Sequence, residues 1–205
     1  MGETKTPVLS PIPLEQAHLN LTHSRYFCAP ALIMAAINDT CIPNWDISTP
    51  TWSPNSIYIV LFDRGEKAYT FHWALYLHQA ANSGFKYHLV NTTNSTSWKF
   101  DPHAIEDVDN DGSILAALEI GCLEPMMHPH LLHRLEEISI LDSKRFRERI
   151  TCRVWLKEAI YALDDEGYIS LSRTVDEIEE RATLLAMQNK SLGRRTIAQI
   201  GDGEA

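Results

Sequence analysis

The sequence predicts an α+β protein, with an antiparallel sheet in its first half packed against helices in its second half. Runs rich in β-branched and aromatic residues, typical of strands, cluster before residue 101. Helical spacing of apolar residues dominates after that point. The composition, 44% apolar and 22% charged, is that of a globular chain, and 205 residues suit one domain.

The ends of the chain are expected to be flexible. Residues 1–13 contain three prolines and small polar residues, so they predict a flexible N-terminal arm. A single α+β domain is expected over 14–191, followed by a flexible tail over 192–205. Near its start, residues 29–38 are apolar throughout, which is compatible with a buried helix or a strand.

The strands are predicted in the order in which they occur. SIYIVLFD, residues 56–63, and YTFHWALYL, residues 69–77, are separated by a polar turn and therefore predict a hairpin. FKYHLVNTT, residues 85–93, predicts a third strand, and SWKFD, residues 97–101, a short fourth.

Four later segments have helical patterns. They are SILAALEIG, PHLLHRLEEIS, TCRVWLKEAIYALDDEG and TVDEIEERATLLAMQNK. Gly167 stands where the third would end, and Thr174 with Glu177 forms a capping box at the start of the fourth.

Charge and apolar patterning exclude several functions. A net charge of -9 argues against general nucleic-acid binding, which needs clustered Lys and Arg. No apolar run approaches the length that spans a bilayer, and no leader pattern opens the chain. The four cysteines show no disulfide framework, so we expect a cytoplasmic protein.

Cys152 is the first candidate for chemistry. It lies at the predicted start of a helix, where unpaired N–H groups and the helix dipole favour a thiolate. Arg149 and Arg153 add positive charge nearby. The competing interpretation is a small buried apolar residue, which is the usual role of a free cysteine.

His72 could supply the base that such a thiol needs. Strand alternation places Phe71, Trp73, Leu75 and Leu77 on one face, and His72, Ala74, Tyr76 and His78 on the other. The first face is core, whereas the second faces either solvent or a site. Taken alone, His72 also suits a half-buried histidine held by a hydrogen bond.

These segments resemble a known superfamily. HWALYL, then GFKYHLVN, then a cysteine that opens a helix with an aromatic residue three positions later, are similar to the permuted papain-like thiol enzymes. Within that superfamily the chain looks like the lecithin:retinol acyltransferase branch, related to the NlpC-type peptidases. HWALYL with CRVW and DDEGYI also resembles a group of uncharacterised fungal proteins with a Gly-Cys-Arg-aromatic-Trp motif.

The resemblance implies cysteine-dependent acyl transfer, with Cys152 as nucleophile, His72 as base and His88 as the residue that orients the base. If His88 points away, Asn91 is the substitute, because only one of the two can face the site. The acyl group would pass to water or to another acceptor. The substrate-binding candidates are Trp73, Tyr76, Asn91, Arg149, Arg153 and Trp155.

Two alternatives stay open. One is an amide-forming biosynthetic enzyme that uses an activated aminoacyl donor, as a tRNA-dependent cyclodipeptide synthase does. The other is a catalytically inactive ligand-binding module of the same fold, because Thr151 stands where the family has Asn. The expected partner is a small-molecule or acyl/aminoacyl substrate, with no membrane.

No cofactor or metal is predicted. Asp107, Asp109 and Asp111 match the start of a calcium-binding loop, but Leu118 stands where the bidentate Glu belongs, so the loop is expected to cap the next helix. CLEPMMHPHLLH offers Cys122 and three histidines in a spacing that matches no compact zinc signature.

Overall fold

The structure, a computed structural model of the chain, describes residues 51–91 and 97–200. The predicted N-terminal arm and the apolar segment at 29–38 lie outside the described residues. The described residues belong to one compact unit, Thr40–Ala205. Its elements are β1 (Ser56–Asp63), β2 (Phe71–Ala80), β3 (Ser83–Val90), β4 (Lys99–Ile105), β5 (Ile114–Cys122), a 3-10 turn (Pro125–Met127), α1 (His128–Glu136), α2 (Cys152–Asp165), α3 (Val175–Leu192) and β6 (Thr196–Gln199).

Six strands form one mostly antiparallel sheet in the order β4-β3-β2-β1-β5-β6. The predicted β1–β2 hairpin is present, with Ile59 opposite Leu75. Among the described strands, only β5 and β6 pair in parallel. Within residues 51–91 and 97–200, β4 pairs with β3 and with no other strand, so it lies at the edge of this sheet. The α+β class predicted from the sequence is confirmed.

The two faces of the sheet carry different side chains. Phe71, Trp73 and Leu75 belong to a large apolar cluster that also contains residues of α2 and α3, and we call this side the helix face. Ala74 and Tyr76 alternate with them and pack with Tyr58, Val60 and Phe62 in a second cluster. We call that side the far face.

Three of the four predicted helices are present as α1, α2 and α3. Gly167 has φ 79° just after α2, in the left-handed region that glycine adopts at little cost. At the start of α3, Thr174 and Glu177 form the predicted capping box. None of the helices in this part of the chain has the length and apolar composition needed to cross a bilayer.

The predicted helix over SILAALEIG is wrong, because this segment forms β5. Six of the nine residues of β5 are buried, since the strand lies between β1 and β6 and contributes to the apolar clusters on both faces. A short, mostly apolar run of this kind does not distinguish a buried strand from a buried helix. Asp111 accordingly caps no helix, and its Oδ1 accepts hydrogen bonds from the backbone N–H and the hydroxyl of Ser113.

The C-terminal segment also differs from the expectation of a flexible tail over 192–205. Gly193 ends α3 with φ 61°, and the chain then returns to the sheet as β6. Ile197 lies opposite Ala117, and Asn189 binds the backbone carbonyl of Leu115 through its side-chain amide. The last five residues lie outside the described part of the chain.

Candidate functional site

Two histidines meet on the far face of the sheet. His72 alternates with Phe71 and Trp73, so its ring lies on the opposite side of β2 from the helices. Its Nε2 is 2.5 Å from Nδ1 of His88 on β3, and the two rings meet edge to face with centroids 4.7 Å apart. The predicted approach of His72 and His88 is therefore present.

The edge strand β4 adds two more polar groups beside this pair. Asp101 lies directly opposite His88, and His103 follows two residues later on the same face. Asp101 Oδ2 lies 3.5 Å from His88 Nε2 and 3.6 Å from His103 Nδ1. We call His72, His88, Asp101 and His103 the histidine cluster.

One atom of the cluster is an exception to normal hydrogen bonding. His88 is only 5% exposed, and its Nε2 has no hydrogen-bond partner. A buried polar atom left in this way carries an uncompensated desolvation cost, so it requires an explanation. It faces a carboxylate and a second imidazole, and the ligand atoms of His88, Asp101 and His103 all lie within 4.8 Å of one another.

Burial keeps the imidazoles uncharged. It lowers the pKa of His72 to about 4, with further lowering by the positive charges of Arg64 and Lys86. Burial likewise lowers the pKa of His88 to about 3, aided by Lys86 and by the neighbouring imidazoles. The pKa of His103 is also lowered, mainly by burial. All three rings are thus neutral near pH 7, the form in which imidazole binds metals.

Neutrality also restricts the tautomers of the His72–His88 pair. A hydrogen bond between two neutral imidazoles has one donor and one acceptor. If Nδ1–H of His88 donates to Nε2 of His72, the lone pair of His88 Nε2 is left pointing at Asp101 and His103. A histidine that binds metal usually donates its other N–H in this manner to a neighbouring acceptor.

The donor set fits a divalent transition-metal ion. Two imidazole nitrogens and one carboxylate are the protein ligands of many catalytic zinc and non-haem iron sites, in which the remaining coordination positions are open. His88, Asp101 and His103 could supply these three ligands, with His72 outside them. Among residues 51–91 and 97–200, no other group of three or more His, Cys, Asp or Glu side chains brings its ligand atoms close enough together to hold a metal ion.

Sequence reasoning missed Asp101 and His103, because the fourth strand was predicted to end at residue 101. The Asp-x-His spacing in a strand would have placed both side chains on one face. The histidines that were considered for zinc are dispersed instead. His128 bonds to Gln79 and to the carbonyl of Leu123, whereas His130 is exposed.

The structure places Cys152 on the other side of the sheet from His72. Cys152 is the first residue of α2, is 3% exposed, and packs in the apolar cluster of the helix face with Phe71 and Trp73. Its described hydrogen bond comes from the guanidinium of Arg64, with Nη2 3.6 Å from Sγ. The structure therefore brings His72 to His88 and does not bring it to Cys152.

The predicted substrate-binding residues are also dispersed. Asn91 and Arg149 are exposed, and Arg153 forms ion pairs with Glu148 and Glu179. Tyr76 is on the far face, where its hydroxyl lies 3.2 Å from Nδ1 of His78. The two remaining candidates, Trp73 and Trp155, are buried in the helix-face cluster.

Comparison with known proteins gives a family without an assigned activity. No curated protein and no solved structure matches the chain. A family model described as a family of unknown function, DUF6914, matches residues 55–200, which include the whole sheet and all three helices. The chain belongs to this family of unknown function, DUF6914.

Proposed function

We propose that the protein is a metal-dependent enzyme that holds a divalent transition-metal ion, with Zn²⁺ as the first candidate, through His88, Asp101 and His103. The observation that carries this proposal is the buried Nε2 of His88, which lacks a hydrogen-bond partner and faces a carboxylate and a second imidazole. A metal ion would use the lone pair that the protein leaves unpaired.

The electrostatics of the cluster support the proposal. Metal ligation requires neutral imidazoles and an ionised carboxylate. Burial supplies the first condition by lowering the histidine pKa values. Asp101 supplies the carboxylate oxygens, on a side chain that is 43% exposed. The ion would thus bind near pH 7 without first displacing protons from the three rings.

Three protein ligands also suit catalysis better than a purely structural role. Structural zinc sites are closed by four protein ligands, whereas catalytic sites keep a position for water or substrate. A bound divalent ion would polarise a substrate carbonyl or phosphoryl oxygen, or lower the pKa of a bound water. His72 would act as a positioning residue, because its hydrogen bond with Nδ1 fixes the orientation and tautomer of His88.

Metal titration tests the proposal directly. We expect the EDTA-treated protein to bind one Co²⁺ with an absorption spectrum typical of nitrogen and oxygen ligands, and to lose this binding in Asp101→Asn and His103→Asn. His72→Phe should weaken binding by about 10- to 100-fold, as expected for a neighbour that orients a ligand. The exposed His130→Asn is the matched control. Binding that is absent, or that survives Asp101→Asn and His103→Asn unchanged, would refute the proposal.

We infer a second candidate, cysteine-dependent acyl transfer, from one specific observation. Arg64 donates a hydrogen bond to Sγ of Cys152, which is the first residue of α2, so a guanidinium and a helix N-terminus both lie against this thiol. This candidate goes with the permuted papain-like fold, in which the thiol and His72 would act together. It therefore requires a rearrangement that moves Cys152 out of the apolar cluster and around the sheet.

Alkylation under reducing conditions separates the candidates. A thiol enzyme predicts that Cys152 reacts faster near pH 7 than Cys28, Cys41 and Cys122, and that His72→Ala removes the difference. If selectivity is present, the mass of a trapped acyl-enzyme, challenged with water or amines, distinguishes hydrolysis from amide formation. Slow reaction at Cys152 would rule out the thiol mechanism and leave the metal enzyme or an inactive binding module.

A further inference from the structure

Lys86 lies at the border of the histidine cluster. It precedes His88 by two residues in β3, so the two side chains share the far face, and it lies directly opposite His103 in β4. Its Nζ is 5.0 Å from the centroid of the Phe62 ring on β1. The contact with the ring holds the ammonium beside the cluster rather than out in solvent.

The ammonium of Lys86 has no ion-pair partner among residues 51–91 and 97–200. The carboxylates that act on it, Asp111 and Asp101, do so beyond ion-pair distance. Lys86 is half-buried on the far face. A partly desolvated charge normally has a partner, because leaving one without compensation is costly.

Two cations border the cluster, although the chain has a net charge of -9. Lys86 acts on all three rings, and Arg64 acts on His72 from the end of β1. Arg64 has no carboxylate partner in the described part of the chain, where its hydrogen bond goes to Cys152. Asp101 is the only carboxylate of the cluster itself, so a bound divalent cation would leave a net positive charge there.

We infer that Lys86 forms an oxyanion subsite beside the metal, and that the protein acts on a substrate whose reacting end is a phosphate or carboxylate group. This inference rests on the proposed metal site. One oxygen of the anion would bind the metal at an open position, and another would accept a charge-assisted hydrogen bond from Nζ of Lys86. The anion would compensate both the ammonium and the excess charge of the metal.

Phosphate binding to the cobalt-loaded protein tests the inference. Inorganic phosphate and acetate are titrated separately, without excess metal, and the change in the Co²⁺ spectrum is followed. We expect at least one of them to bind, and Lys86→Met to weaken its binding by about tenfold or more while Co²⁺ affinity stays within a few-fold of wild type. Lys144→Met, which removes an exposed lysine, is the control and should bind as wild type does.

The outcomes distinguish this inference from the metal proposal. Failure to bind Co²⁺ contradicts the metal site itself. Normal Co²⁺ binding with no anion response, or with equal responses in wild type and Lys86→Met, overturns the oxyanion subsite and leaves the metal site standing. A response to phosphate alone assigns a phosphoryl substrate, and a response to acetate alone assigns a carboxylate substrate. The cobalt spectrum shows in each variant that the cluster is folded.

Discussion

Acidification should destabilise the metal-free protein through the buried histidine pair. In the unfolded chain a histidine has a pKa of about 6.5, whereas His72 in the fold has a pKa of about 4 and His88 of about 3. Between these values the unfolded state binds protons that the folded state excludes. Stability that is fully present above pH 6.5 is therefore lost as the pH falls towards 4.

The magnitude follows from the width of this interval. Each pH unit in which only the unfolded state is protonated changes the free energy of unfolding by about 1.4 kcal/mol per group. Two units, from pH 6.5 to pH 4.5, give about 3 kcal/mol for one histidine. The nearby charges mostly act in the same direction as burial. Lys86 lowers the pKa of both histidines and Arg64 lowers that of His72, whereas Asp101 raises the pKa of His88.

Urea unfolding between pH 7 and pH 4.5, with EDTA present, measures this effect. The chain has 27 Asp and Glu residues that also titrate, so the informative quantity is the difference between wild type and His88→Asn. We expect wild type to lose about 3 kcal/mol more than His88→Asn over this range. His130→Asn, at an exposed position, should follow wild type. Parallel curves for wild type and His88→Asn would show that the histidine is not held neutral, and the reasoning would be wrong.

Three substitutions and one control test the stability of the fold, each by urea unfolding at pH 7. Thr151→Ala removes the hydroxyl that accepts from the backbone N–H of Val154 and should cost about 1 kcal/mol; no loss would show that the cap is unimportant. Gly84→Ala places a Cβ 2.1 Å from the backbone carbonyl oxygen of Leu77, so it should lower the free energy of unfolding by about 3 kcal/mol. Gly112 has open space around it, so the control Gly112→Ala should lower the free energy of unfolding by less than about 1 kcal/mol. Lys157→Met removes a buried ammonium that pairs with three carboxylates, so it should lower the free energy of unfolding by about 3 kcal/mol. A variant more stable than wild type would show that these ion pairs do not stabilise the fold.

Local patterns predicted much of the fold and only part of the site. The hairpin, the three helices and the capping box follow from periodicity and cap residues that act within a few positions. SILAALEIG was misjudged because its environment, between β1 and β6, is a property of the sheet order and not of the segment.

The candidate site was likewise predicted where local patterns decide and missed where long-range packing decides. Alternation correctly separated His72 from the core face of β2. The side of the sheet on which α2 packs is a long-range feature, so the sequence did not exclude the pairing with Cys152. The meeting of His88 with Asp101 depends on the register in which β3 and β4 pair, which the sequence of either strand alone does not specify.

The position of β4 gives the proposed metal a mechanical role. Two of the three ligands, Asp101 and His103, lie on this outermost strand, which in the described part of the chain is hydrogen-bonded along one side only. Such a strand frays more readily than its neighbours. A bound ion would link β4 to His88 on β3. Amide hydrogen exchange in residues 99–105 should therefore slow when metal is added and become faster when it is removed. Exchange in β1, near the centre of the sheet, should hardly change. If β4 frays after loss of the ion, the edge of β3 that it covers becomes free, and another chain could pair there.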